Sequence, residues 1–136
     1  MKTHNYYDTF IAVAEDCPAA QAEVPKAKGA SKSIAVLQYE MIADHPYRYT
    51  QEDVLFEVHA IRSEIAEEQK GAAREAFFAK GQPCLRTSSL CKRYGWGIHH
   101  DTDGKVALYA VESEAYAAFS RDKKLKQLKA MRSNRA

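Results

Sequence analysis

The chain predicts an α+β domain: a small mixed or antiparallel sheet with a β-hairpin in the C-terminal half, and helices packed on at least one face. Three observations lead there. The run KRYGWGIHHDTDGKVALY, Lys92 to Tyr109, alternates in polarity on either side of a turn signal. The segment from Glu64 to Lys80 is dense in Ala, Glu, Lys and Gln, residues that favour a helix. Elsewhere, short β-branched runs and longer helical patterns succeed one another in the order β-α-β-α-β-β-α-α, with no internal repeat. At 136 residues, 46% hydrophobic and 28% charged, the chain suits one globular domain over 1–136, outside the disordered and membrane-spanning classes.

Each element has a local reason. Phe10 to Glu15 (FIAVAE) is short, partly β-branched and stopped by Asp16, Cys17 and Pro18, which predicts a strand. Ala19 to Lys32 is rich in Ala, Lys, Pro and Gly and reads as a long connection. Ser33 can cap a helix to about Asp44, with Ile34, Leu37, Met41 and Ile42 at helical spacing and His45-Pro46 closing it. Thr50 and Asp53 have the spacing of a capping box, yet the residues that follow, VLFEVHAI, are strong strand formers; a turn and then a strand from Val54 to Ile61 is expected. Ser63 is expected to cap the helix from Glu64 to Lys80, with Gly81 as its left-handed C-terminal residue. Gln82 to Arg93 is a polar, basic connector into the hairpin. Ser113 can cap a short helix carrying Tyr116 and Phe119, and Leu125, Leu128 and Met131 mark a last helix.

The net charge of +2 hides an asymmetry. From Arg121 to Ala136 seven Lys or Arg stand against one Asp, a net of +6, which leaves the first 120 residues at −4. The basic character belongs to a C-terminal helix or tail from about residue 121, a weaker pointer to nucleic acid than a uniformly basic surface. The N-terminus has no apolar run behind its lysine, so no secretory signal is expected. Cys17, Cys84 and Cys91 are odd in number and widely spaced, which fits reduced thiols in a cytoplasmic protein.

Asp101-Thr102-Asp103-Gly104 has the residues of a type I turn with glycine at the left-handed position. Pairing Asp101 with Lys105 then sets His100 opposite Val106, His99 opposite Ala107, Ile98 opposite Leu108, Gly97 opposite Tyr109 and Trp96 opposite Ala110. Tyr94, Trp96, Ile98, His100, Val106, Leu108 and Ala110 form a nearly continuous apolar face, the core side. The other face carries Gly95, Gly97, His99, Asp101, Lys105, Ala107, Tyr109 and Val111. Glycines inside a strand point to a close approach or to a cross-strand aromatic cover, which Tyr109 supplies opposite Gly97. With 54–61 as a strand of the same sheet, Glu57, His59, His99 and Tyr109 would share this face.

The chemical motifs narrow quickly. His99 and His100 are adjacent, so a strand points them to opposite sides and they cannot share one ion. Cys84, Cys91 and His99 lack the spacing of a zinc site, and the Asp101 to Gly104 turn lacks the later ligands of a calcium loop. No metal and no cofactor is expected. Nothing matches a P-loop or a dinucleotide fingerprint. The connector offers Arg86, Thr87, Ser88, Ser89, Lys92 and Arg93, a set able to wrap a carboxylate or phosphate with charge-assisted hydrogen bonds.

Three long segments resemble a family of short bacterial proteins catalogued as a conserved domain of unknown function. They are NYYDTFIAVAEDCP, LQYEMIADHPYRYTQEDVLFEVHA, and FFAKGQPCLRTSSLCKRYGWGIHHDTDGKVALYAVES followed by KQLKAMRSNRA. The resemblance implies a stand-alone cytoplasmic protein and brings no substrate, cofactor or catalytic residue with it.

The residues themselves support a binding module for a small anionic ligand or peptide, with Arg86, Ser88, Arg93, His99 and Tyr109 as binding candidates. The alternative is an enzyme of unknown reaction using Glu57, His59 or His99 as acid or base on one sheet face. A weaker alternative has the basic tail associating with nucleic acid, although no aromatic is interleaved with its lysines to stack bases. No membrane partner is expected.

Overall fold

Among the described residues of the computed structural model, 5–27, 29 and 32–133, the chain forms a four-stranded mixed sheet and five α-helices. Residues 1–4, positions 28, 30 and 31 of the expected connection, and the last three residues of the basic tail lie outside that description. No helix of the described residues is long and apolar enough to cross a membrane.

Strand β1, Thr9–Ala12, begins one residue before the expected Phe10 and ends short of Glu15. Helix α1, Ile34–Asp44, is capped as its sequence predicts: the Ser33 hydroxyl accepts from the Val36 N–H at 3.3 Å and His45 closes the last turn. It buries Ala35, Val36, Leu37 and Ile42, whereas Ile34, expected on the buried stripe, is 46% exposed.

The segment expected as a strand from Val54 to Ile61 is instead the body of helix α2, Gln51–Arg62. Thr50 and Asp53 do close a reciprocal capping box, the Thr50 hydroxyl accepting from the Asp53 N–H at 3.2 Å and the Asp53 carboxylate from the Thr50 N–H at 3.0 Å. The alternation that suggests a strand has a different origin. Val54 and Val58, four residues apart, enter the main core, while Phe56 and Ala60, also four apart, are buried on the opposite side of the helix. There Phe56 meets the Phe77 ring edge-on at 5.9 Å. A helix buried on two opposite sides produces a near period of two along its sequence.

Ser63 closes α2 rather than opening the next helix. Ile65 N–H donates to the Ala60 carbonyl at 3.0 Å and Glu64 N–H to the Ile61 carbonyl at 3.3 Å, a Schellman closure whose left-handed residue is Glu64 at φ +52°. A 3-10 turn at Glu67–Gln69 then leads into α3, Lys70–Ala79, shorter than the expected helix from Glu64 to Lys80. Lys80 leaves α3 in extended conformation, and Gly81 does not take the left-handed role expected of it. The connector holds a 3-10 turn at Leu85–Thr87 and one helical turn, α4, Ser89–Lys92.

Strands β2, Trp96–His100, and β3, Val106–Ala110, pair antiparallel in the register expected from the turn, from Trp96 opposite Ala110 to His100 opposite Val106. Gly104 sits at φ +81°, and the Asp101 carboxylate accepts from the N–H groups of Asp103 and Lys105 at 2.9 and 2.8 Å. Helix α5, Glu114–Ser120, is capped by Ser113, as expected.

The last helix expected around Leu125, Leu128 and Met131 is instead strand β4, Lys126–Lys129. Leu128 and Ala130, the residue just after the strand, pack into the core at the period of a strand. Strand β4 lies parallel to β1, with Ile11 opposite Leu128, giving the sheet order β3-β2-β1-β4. Thr9, Ile11, Ile98, His100 and Val106 share the face covered by α1, α2 and α4, and Phe10, Gly97, His99 and Tyr109 share the face covered by α5.

Two stability predictions follow from local geometry. A non-glycine residue in the left-handed region costs about 1 kcal/mol. Glu64→Gly is therefore expected to raise stability by about that amount, read as a higher urea midpoint at unchanged slope. His100 is fully buried on the core face, neither ring nitrogen has a hydrogen-bond partner among the described residues, and burial lowers its pKa from 6.5 to about 4. The unfolded chain binds that proton more readily, so the contribution is complete above pH 6.5 and falls away between 6.5 and about 4, by roughly 3 kcal/mol in all. His100→Leu should flatten that part of the stability–pH curve relative to the parent chain; parallel curves would contradict it.

Candidate functional site

The sheet face beneath α5 is filled. A methyl group built on Gly97 would lie 2.6 Å from both the Phe10 and Tyr116 rings, and one on Gly95 would meet the backbone of Ala22 at 3.1 Å. The close approach expected at these glycines is therefore made by the protein itself, and the rings against Gly97 are those of Phe10 and Tyr116 rather than Tyr109. Phe119 stacks on His99 at 4.2 Å, and Tyr109 tilts against Phe119 at 4.7 Å.

His99 and Tyr109 are joined through Tyr47, a residue the sequence did not single out. The Tyr47 hydroxyl is hydrogen-bonded to His99 Nδ1 at 2.9 Å and to the Tyr109 hydroxyl at 2.6 Å. Burial, then the bond to Tyr109, pushes the Tyr47 phenol well above its ordinary pKa, and burial lowers that of His99 against the opposing pull of Asp101, Asp8 and Asp122. Tyr47 has a left-handed backbone, φ +60°, and gives its N–H to the Val106 carbonyl at 2.9 Å. The cluster thereby fastens the α1–α2 turn to β3.

Because 54–61 is helical, Glu57 and His59 do not join His99 and Tyr109. Glu57 is paired with Lys70 at 2.9 Å and lines a shallow depression with Met41, Arg48, Tyr49, Asp53 and Ile61. His59 lies elsewhere, stacked on Phe77 at 4.6 Å in a groove between α1, α2, α3 and the connector. Glu57, His59 and His99 thus occupy three separate surroundings.

That groove collects most of the remaining polar candidates. Its inner part, about 520 Å³, has an apolar lining of Ile34, Leu55, Val58, Phe77 and Pro83, with His59, Arg62 and Thr87 to Ser89 around it. Ile34, Arg62 and Ser89 also line an adjoining depression of about 560 Å³, whose further walls include Ser33, Lys92 and Arg93. Neither part is lined by a carboxylate, and Arg62, Lys92 and Arg93 make no ion pair among the described residues. The first turn of α1, free of acidic side chains, borders the same depression and adds to its positive potential.

Two buried glutamines hold the connector in place. Gln51 accepts from the Leu85 N–H at 2.9 Å, and Gln38 accepts from the Ser88 hydroxyl at 2.5 Å. Ser88 also accepts from the Leu90 N–H, so its hydroxyl is engaged within the protein. Arg86 is drawn away from the groove, its Nε donating to the Lys129 carbonyl at 2.7 Å. Of the connector candidates, Arg93 lines the groove freely, Ser88 builds its wall, and Arg86 secures β4. Arg62 and Phe77 escaped sequence reasoning because their place in the groove depends on reading 51–62 as a helix.

The three cysteines are free thiols. Cys91 is fully buried, and burial pushes its thiol pKa far up, away from nucleophile chemistry. Cys84 accepts a hydrogen bond from the Tyr6 hydroxyl at 3.3 Å; burial first, then this contact, pushes Tyr6 up to about 12. Among the described residues, no three His, Cys, Asp or Glu side chains are grouped so as to hold a metal ion.

Comparison with known proteins places the whole chain in one family: a model described as a family of unknown function (DUF6157) matches residues 1–136. No curated protein and no solved structure matches the chain.

Filling the Gly97 position tests the packing beneath α5. Gly97→Ala would press its methyl into the Phe10 and Tyr116 rings. Overpacking of this kind costs about 1 to 3 kcal/mol. Urea unfolding should show that loss, and a variant as stable as the parent would contradict the packing described.

Proposed function

We propose that this chain, which belongs to the family of unknown function DUF6157, is a binding module that takes a small organic anion in the groove between α1, α2, α3 and the connector, working in the cytoplasm, where its three free thiols stay reduced. One observation carries the reading: Arg62, Lys92 and Arg93 line the groove with no ion-pair partner among the described residues, with no carboxylate in the lining and an apolar surface beside them. Uncompensated like charges repel, and an anion bound between them relieves that repulsion while guanidinium groups supply paired N–H donors. The inner volume of about 520 Å³ suits a small molecule. This moves the binding site, expected between the connector and the sheet face of His99 and Tyr109, to the helical side, keeping Arg93 as a direct contact and giving Ser88, expected to bind the ligand, a structural role instead.

Titration of the isotopically labelled protein with a panel of small aliphatic and aromatic carboxylates and phosphates, followed by amide NMR, tests this reading. Saturable shifts are expected at 58–63 and 87–94 for at least one anion. Combining Arg62→Ala with Arg93→Ala should weaken that anion at least tenfold, since each hydrogen bond to a charged group contributes about 1.5 to 3 kcal/mol. Failure of every anion to saturate, or an unchanged affinity in the double variant, would overturn it.

A further inference from the structure

Resting on the groove reading above, we infer that the ligand is a phosphate monoester with an apolar, preferably aromatic, body. The two parts of the groove differ in kind. The outer depression presents Arg62, Lys92 and Arg93 together with the hydroxyls of Ser33 and Ser89, and no acidic group. Three cations without a counter-charge match a dianion better than a monoanion, and the monoester dianion is the ordinary form of a phosphate above its second pKa of about 6. Geometry points the same way. A carboxylate has two oxygens and satisfies one guanidinium fork, whereas a phosphoryl group offers three terminal oxygens, enough for two forks and an ammonium.

The inner part is suited to the other end of such a molecule. Leu55, Val58, Phe77, Pro83 and Ile34 form an apolar surface, and Ile34, at 46% exposure, stands at the junction of the two depressions with Arg62. His59 and Phe77, stacked on each other 27° from parallel, both line this part, so its wall is aromatic as well as aliphatic and suits an aryl group. Arg62 belongs to both linings, which puts the charged head and the apolar body on either side of one residue. Together the two parts accept a molecule longer than inorganic phosphate.

Calorimetric titration of the full chain at pH 7.5 with four probes tests this: phenyl phosphate, phenyl sulfate, benzoate and inorganic phosphate. Phenyl phosphate is expected to bind at least tenfold more tightly than each of the others. Lys92→Gln, with its fold checked by circular dichroism, should remove most of the advantage over phenyl sulfate and weaken phenyl phosphate by a larger factor than benzoate. Phenyl sulfate or benzoate within threefold of phenyl phosphate would overturn the dianion inference and leave the groove reading standing. Inorganic phosphate within threefold would overturn the apolar body. Absence of binding by all four would bring down the inference here, while the wider anion panel decides the groove reading separately.

Discussion

The hydrogen-bonding demand of β1, Thr9–Ala12, is the constraint on which the rest of the structure depends. A central strand has polar groups along both edges, and leaving them unpaired in a core is costly. Both partners come from the far half of the chain, β2 antiparallel on one side and β4 parallel on the other. Closing such long loops costs entropy that grows only slowly with loop length, so the distance along the chain is affordable. The strand also needs cover on two faces, because Ile11 and Phe10 point to opposite sides and both are fully buried. Helices α1, α2 and α4 cover the first, α5 the second.

The groove is a consequence of how the Ile11 side is layered. Helix α2 sits between the sheet and α3, with Val58 toward the core and Phe56 toward Phe77. Its last turn therefore emerges where α3 and the connector diverge, bringing His59 and Arg62 to the opening. Beneath that opening Gln38 and Gln51 hold the connector through Ser88 and Leu85. Lys92 and Arg93 are thus presented from a backbone anchored by buried hydrogen bonds, while Arg86, three residues before Ser89, is committed to β4. Neighbouring basic residues in one short segment serve two different purposes.

What could be read from the sequence depended on how local its cause is. The hairpin register needed only the Asp101 to Gly104 turn, since glycine at a left-handed position and an aspartate accepting backbone N–H groups act within five residues. The caps Ser33 and Ser113 were legible for the same reason. Helix α2 and strand β4 have non-local causes. The body of α2 alternates because two different partners bury opposite sides of it, and β4 owes its strand to β1, more than a hundred residues earlier. At Ser63, local signals competed: a good N-cap residue was overruled by a Schellman closure through Glu64 that no glycine announces. For the candidate site, Arg93 and Ser88 were legible as a basic, hydroxyl-rich connector, whereas Arg62, Phe77 and Tyr47 were not, because each acquires its role from a helix or turn packed beside it.

By itself, then, the sequence determined the α+β class, the hairpin with its register, the capped helices α1 and α5, and the basic connector, all of which rest on turn, cap and alternation chemistry within a few residues. Only the tertiary structure decided that 51–62 is a helix, that the C-terminal segment completes the sheet, and that His59 parts company with His99. Those outcomes are decided by which surfaces bury which residues, a property of neighbours that are distant in the chain.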